Sequence, residues 1–278
     1  MSTAAAVLAL VLIMTAVGSS GLLWLAPTFG AVRHGYEYLT GSTVAVLAWA
    51  GWAALAGPLV ALEGSELQSQ GELARTLLMI MVGLTVAAMA ALAVRLPAMI
   101  GRLLGLAATI VGASAFYPLA VIRAERVAVG GVAQGLIELL LGAVFMSAIW
   151  VGMVLGHWYL VERRLSNRYM VWMAWANVVG VVAGLVSVLL SARNPAPCIG
   201  LTGAAYQQCA MTFAPMLRIG SMTVTLGLGV LVLIAIIAAF NVRLAKEGGR
   251  SIQASTGMFY LAVILAPAVE FAAKVRFF

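Results

Sequence analysis

Eight stretches of this chain are apolar for about 20 residues or longer. They run from Ala4 to Pro27, Ser42 to Leu62, Thr76 to Val94, Ala98 to Ile122, Val132 to Tyr159, Tyr169 to Ser191, Leu217 to Val242 and Ile252 to Phe271, each bounded by charge, glycine or proline. At about 1.5 Å rise per residue, each is long enough as a helix to cross a hydrocarbon core of about 30 Å. A backbone in hydrocarbon must satisfy its own hydrogen bonds, and no apolar/polar alternation marks strands. The expected fold is therefore an all-α polytopic integral membrane protein with about eight transmembrane helices. With 64% hydrophobic and 9% charged residues and a mean hydropathy of +1.08, the chain has too little polar surface for a water-soluble domain. The N-terminal apolar run lacks a basic segment before it, so it is expected to be kept as a first span.

The net charge of +7 does not point to nucleic acid, because the basic residues lie singly or in small groups between spans and form no stripe or tail. They read as topology signals. Nine of the 16 follow spans 1, 3, 5 and 7: Arg33, Arg95, Arg102, Arg163, Arg164, Arg168, Arg243, Lys246 and Arg250. The rest fall on the opposite side, which leaves a small positive-inside bias. Cys198 and Cys209 are the only cysteines, and both lie in the longest polar connection, near residues 192–216. A disulfide closing so short a loop is worth roughly 2 to 3 kcal/mol and persists on the oxidising side of a membrane. That places the loop and both termini outside the cytoplasm of a bacterial-type cell membrane, as an expectation.

The nine acids are all glutamates. With no aspartate present, aspartate-rich magnesium sites, aspartyl-phosphate pumps and intramembrane aspartyl proteases are excluded. The chain also reads as two tandem four-helix halves, residues 1–126 and 127–278. VRLPAMIGR, starting at Val94, matches VRLAKEGGR, starting at Val242. Trp24, Gly30 and the triplet Ala48, Trp49, Ala50 match Trp150, Gly156 and Ala174, Trp175, Ala176.

An ionisable group inside a span is costly and needs a reason. Glu138, about two turns into the fifth span, is the strongest candidate, with Glu270 and Tyr117 near the same face. Carboxylates and a phenol beneath one surface suit a quinol site, with Glu138 taking the proton. The structural alternative pairs Glu138 with Arg123 or Arg126. His34 and His157 follow spans 1 and 5 and are candidate haem b ligands. Their places at span ends favour an interfacial role, and no metal site is expected. In span count and four-plus-four layout alone, the chain is similar to the quinone-interacting anchors of polysulfide-reductase-type respiratory enzymes. The reading this supports is an integral subunit of a redox or energy-conserving complex, at most quinone-binding, with other subunits carrying the metal centres. A proton-coupled secondary transporter or channel using Glu138, and a structural or assembly subunit, are the alternatives.

Overall fold

The computed structural model describes residues 4–126, 131–162, 164–191, 200–213, 220–275 and 277. Ten helices account for them: α1 (Ala4–Leu25), α2 (His34–Val60), α3 (Gln68–Ala93), α4 (Ala98–Ser114), α5 (Phe116–Arg126), α6 (Gly131–Val161), α7 (Arg168–Leu190), α8 (Gly203–Phe213), α9 (Gly220–Glu247) and α10 (Ser251–Lys274). Eight spans are long and apolar enough to cross a membrane, with α4 and α5 together forming the fourth. The protein is thus an all-helical, multi-pass membrane protein. The break at Ala115 has a local cause: Pro118, three residues on, has no N–H to give to the carbonyl of Ser114. One difference from the sequence expectation is α8, a helical turn-and-a-half or more in the cysteine connection, built from the good helix formers of GAAYQQCAM.

Two helices form the centre. The apolar windows of α1 and α6 are 72% buried, whereas those of the other spans are 28–50% buried. α1 packs against α2, α4 and α6, while α6 packs against α5, α7 and α10. Small residues let this happen, since a Cβ placed on Gly18 would stand 2.2 Å from the carbonyl oxygen of Ala143. Large side chains turn outward to lipid instead, as Ile264 and Ile110 do.

Buried positions recur at fixed spacings along the chain, and these spacings differ from those of the letter matches. Buried Ala6, Val7, Ile13 and Met14 of α1 correspond to Glu138, Leu139, Phe145 and Met146 of α6, each 132 positions on. Tyr36, Thr40, Gly51 and Leu55 of α2 correspond to Tyr169, Met173, Gly184 and Val188 of α7, 133 on. Ala74, Leu78, Met81 and Thr85 of α3 fall on buried Gly227, Leu231, Ile234 and Ala238 of α9, 153 on. Gly101, Gly105, Ala108 and Ala115 fall on Ile252, Thr256, Phe259 and Ala266 of α10, 151 on. The packing partners follow suit: α1–α2, α2–α3, α3–α4 and α1–α4 contacts recur as α6–α7, α7–α9, α9–α10 and α6–α10 contacts.

The motif match at Arg95 and Arg243 is corrected by helix geometry. Arg95 ends α3 with φ +58° while Leu96 donates to the Ala91 carbonyl, whereas Arg243 lies inside α9. The residue that ends α9 with positive φ is Gly248, 153 positions after Arg95. Arg102 donates to the carbonyl of Trp24, and Arg243 pairs with Glu247.

Gly18→Ala is expected to lower stability in detergent by about 1 to 3 kcal/mol, because the added carbon meets backbone rather than a movable side chain. Gly83→Ala, whose Cβ meets nothing within 4 Å, should leave the unfolding midpoint unchanged or slightly raised. Thermal unfolding of the two variants in parallel measures the difference.

Candidate functional site

Among the described residues, four of the five fully buried charges gather where α5, α6 and α10 meet, beneath the face where α1 begins and α10 ends. Glu138, Arg123, Glu270 and Lys274 are each 0–1% exposed. Arg123 Nη2 lies 3.2 Å from Glu138 Oε2, and Lys274 Nζ lies 3.2 Å from Glu138 Oε1. Lys274 Nζ is also 3.0 Å from Glu270 Oε2 and donates to Ser187 Oγ at 2.9 Å. Ser187 in turn donates to the backbone carbonyl of Glu138 at 3.3 Å.

Local sequence explains how each group arrives there. Glu270 and Lys274 are four apart on α10, so they lie on one face, one turn from each other. Arg123 comes from the last turns of α5, and the ring of Phe277 lies under its guanidinium at 5.4 Å. The ammonium of Lys274 has three donors and three oxygen partners around it. Two cations and two carboxylates make a formally neutral set. That is the condition under which ions persist in hydrocarbon, where a lone charge costs several kcal/mol.

The structure brings some of the residues singled out by sequence together and leaves others apart. Glu138 and Glu270 come together, and Glu138 takes Arg123 as its partner. Tyr117 does not join them: it is 55% exposed on the outer surface of α5. One helical step of 100° decides this, since its neighbour Phe116 is fully buried and Tyr117 faces away. Lys274 and Ser187 were missed. The Glu-x-x-x-Lys spacing inside an apolar helix was the available signal for Lys274, whereas nothing in the sequence marked Ser187.

The two histidines each have a partner of their own. His34 opens α2, with Nδ1 2.7 Å from Glu37 Oε2 and a side chain 61% exposed. His157 sits one turn from the end of α6, with Nδ1 3.1 Å from the hydroxyl of Tyr260. Each ring thus has its own partner at the helix ends. Among the described residues, no group of three or more His, Cys, Asp or Glu is placed to hold a metal ion. Glu37 was also missed. It is fully buried and accepts from the backbone N–H of Gly30 at 2.7 Å, tying the α1–α2 turn to α2. Cys209 lies on α8 and is not a free thiol, while Cys198 falls outside the described residues.

Two further polar residues lie in the second half's interior. Asn241 accepts from Ser255 Oγ at 3.0 Å, joining α9 to α10. Asn177 on α7 is fully buried, and neither its amide nitrogen nor its oxygen has a hydrogen-bond partner among the described residues. It lies ten residues, about 15 Å, along α7 from Ser187.

No family model, curated protein or solved structure matches this chain.

Lys274→Met is expected to cost about 3 to 5 kcal/mol, because it strands two carboxylates against a single arginine. Adding Glu270→Gln restores neutrality and leaves the Arg123–Glu138 pair intact, so the double variant should regain more than half of the loss. Thermal unfolding in detergent of the single and double variants tests this, and equal stability of the two would exclude charge balance as the cause.

Proposed function

We propose that the protein is a proton-coupled secondary transporter or channel for a small solute, with Glu138 as its coupling group. The observation that carries this reading is that one fully buried carboxylate, Glu138, joins cations from two other helices. It holds Arg123 of α5 on one side and Lys274 of α10 on the other. A proton on Glu138 removes the charge that both cations face, and Lys274 then turns to Glu270, which already lies 3.0 Å away. α5 is released from α6 without leaving a stranded ammonium. The Lys274–Glu270 pair stays neutral while Arg123 loses its anion, so α5 must move to bring Arg123 to water or another counter-charge, and that coupling of proton to movement is what a two-state carrier needs. Unpartnered Asn177 adds support, because a buried amide in hydrocarbon calls for water or a polar ligand beside it.

The recurrence of buried positions supports a duplication in which residues 1–126 and 127–278 descend from one four-helix unit, with the α8 region inserted in the second. A Cys198–Cys209 disulfide in that insertion fits a location outside the cytoplasm, with both termini on the same side of a bacterial-type inner membrane.

A subunit of a respiratory or other redox complex, interacting with quinone, is the second reading. It is favoured by a lateral apolar groove of about 600 Å³ between α1, α4, α6 and α7, which has room for an isoprenoid tail. The quinol chemistry first assigned to Glu138, Glu270 and Tyr117 has less support, since both carboxylates face cations and the phenol lies on another surface.

Proteoliposomes on a solid-supported membrane separate the readings. A pH step should drive a transient current through the wild type, and folded Glu138→Gln should reduce it by about tenfold or more. Currents no larger than those of empty liposomes, from protein that co-purifies with cytochrome or iron–sulfur subunits, would replace the carrier reading with the redox one.

A further inference from the structure

The groove between α1, α4, α6 and α7 has a counterpart in the other half, and the two differ. Gly18 and Gly21 of α1 and Thr109 and Ala113 of α4 line the groove. By the buried-position register, 132 along α1 to α6 and 151 along α4 to α10, their equivalents are Trp150, Met153, Tyr260 and Ile264. Trp150 reaches across to α2 and donates from Nε1 to Thr43 Oγ1 at 3.3 Å. Thr43 is itself the equivalent, 133 positions earlier, of the groove residue Ala176. One place therefore carries large side chains, of which Trp150 reaches across to α2, and the other is lined by small ones.

The open groove faces the bilayer. Its rim residues Leu25, Val179 and Trp175 are 66%, 61% and 48% exposed. It runs from the middle of the membrane to the end of α1, at the face of the α1–α2 and α6–α7 connections. The hydroxyls along it are already engaged. Ser147 donates to the Val144 carbonyl, and Ser20 and Thr109 bond to one another at 2.8 Å. These leave little to recognise a polar ring inside the groove, so a ligand must keep its polar part at the surface. There, two cations stand on helices that form the walls. Arg102 of α4 donates to the carbonyl of Trp24, next to Leu25 at the mouth, and Arg168 opens α7 one turn before Trp172.

We infer that the groove is a binding site for one acyl chain of an anionic phospholipid, whose phosphate lies at Arg102 and Arg168. Apolar chains are the solvent at this depth, and a hydrocarbon chain matches the lining. The arginines select the anionic headgroup by charge. The inference stands apart from the carrier reading, since it uses neither Glu138 nor its partners.

Native mass spectrometry of the full chain, extracted from vesicles of equal phosphatidylglycerol and phosphatidylcholine, tests it. The wild type is expected to retain one phosphatidylglycerol through detergent exchange. Gly21→Leu, whose Cβ stands 3.4 Å from Thr109 Cγ2 at the groove, lowers retention at least about fivefold. Arg102→Gln with Arg168→Gln abolishes the headgroup preference while a lipid is still retained. If Gly21→Leu fails to fold, the arginine pair decides. Retention that ignores all these changes, or equal retention of the two lipids by the wild type, overturns the inference. So does an isoprenoid quinone extracted from the native protein in place of phospholipid.

Discussion

A single ammonium group, that of Lys274, closes the most demanding part of this structure. Four charges lie in a region where each alone would cost several kcal/mol, and they persist because each cation has an anion within 3.2 Å. Lys274 touches both carboxylates and a serine, so three helices, α6, α7 and α10, converge on one nitrogen. Arg123 brings in α5. The arrangement sets the register of the first half against the second, because sliding either by one turn would strand a charge in hydrocarbon.

Elsewhere the fold depends on small residues more than on large ones. Lipid chains are as apolar as leucine, so burying a large side chain between helices gains little over leaving it in the bilayer. Close approach gains dispersion contacts, and it is available only where a Cβ is missing. Gly18 against Ala143 at the central crossing, Gly105 under the Trp24 ring and Gly152 under Phe259 are such points. The last two occupy related places, where an aromatic ring of one helix packs on the bare backbone of another. This is why α1 and α6 can sit at the centre with neighbours on most sides, while the outer helices show isoleucine and valine to the membrane.

Counted along the spacings at which buried positions recur, the charged residues fall on positions of different chemistry. Glu138 stands at the place of Ala6, Glu270 at that of Leu119, and Lys274 at that of Arg123. The equivalents of Arg123 and Lys274 are thus both cations, and both reach the same carboxylate, which only the second half supplies. The groove shows the opposite change, with Gly18 open and Trp150 filling the matching space. The eight spans thus hold a polar lock near one face and a lipid-facing cleft toward the other.

The sequence by itself determined the class of fold, the span boundaries to within about eight residues, and the one acid most in need of an explanation, because hydrocarbon thickness and desolvation act on composition and length alone. It did not reveal which side of each span faces inward. These helices are apolar all round, so no stripe distinguishes a buried position from a lipid-facing one, and Tyr117 and Glu138 looked alike until packing turned one out and the other in. The burial pattern along each span appears only in three dimensions, because alanine, leucine and valine recur on every face. Lys274 read as a membrane-end anchor because its partner Glu138 lies on another helix, far away in the chain. Only the tertiary structure could decide that pairing, since the energy that holds it belongs to the converging helices and not to any one of them.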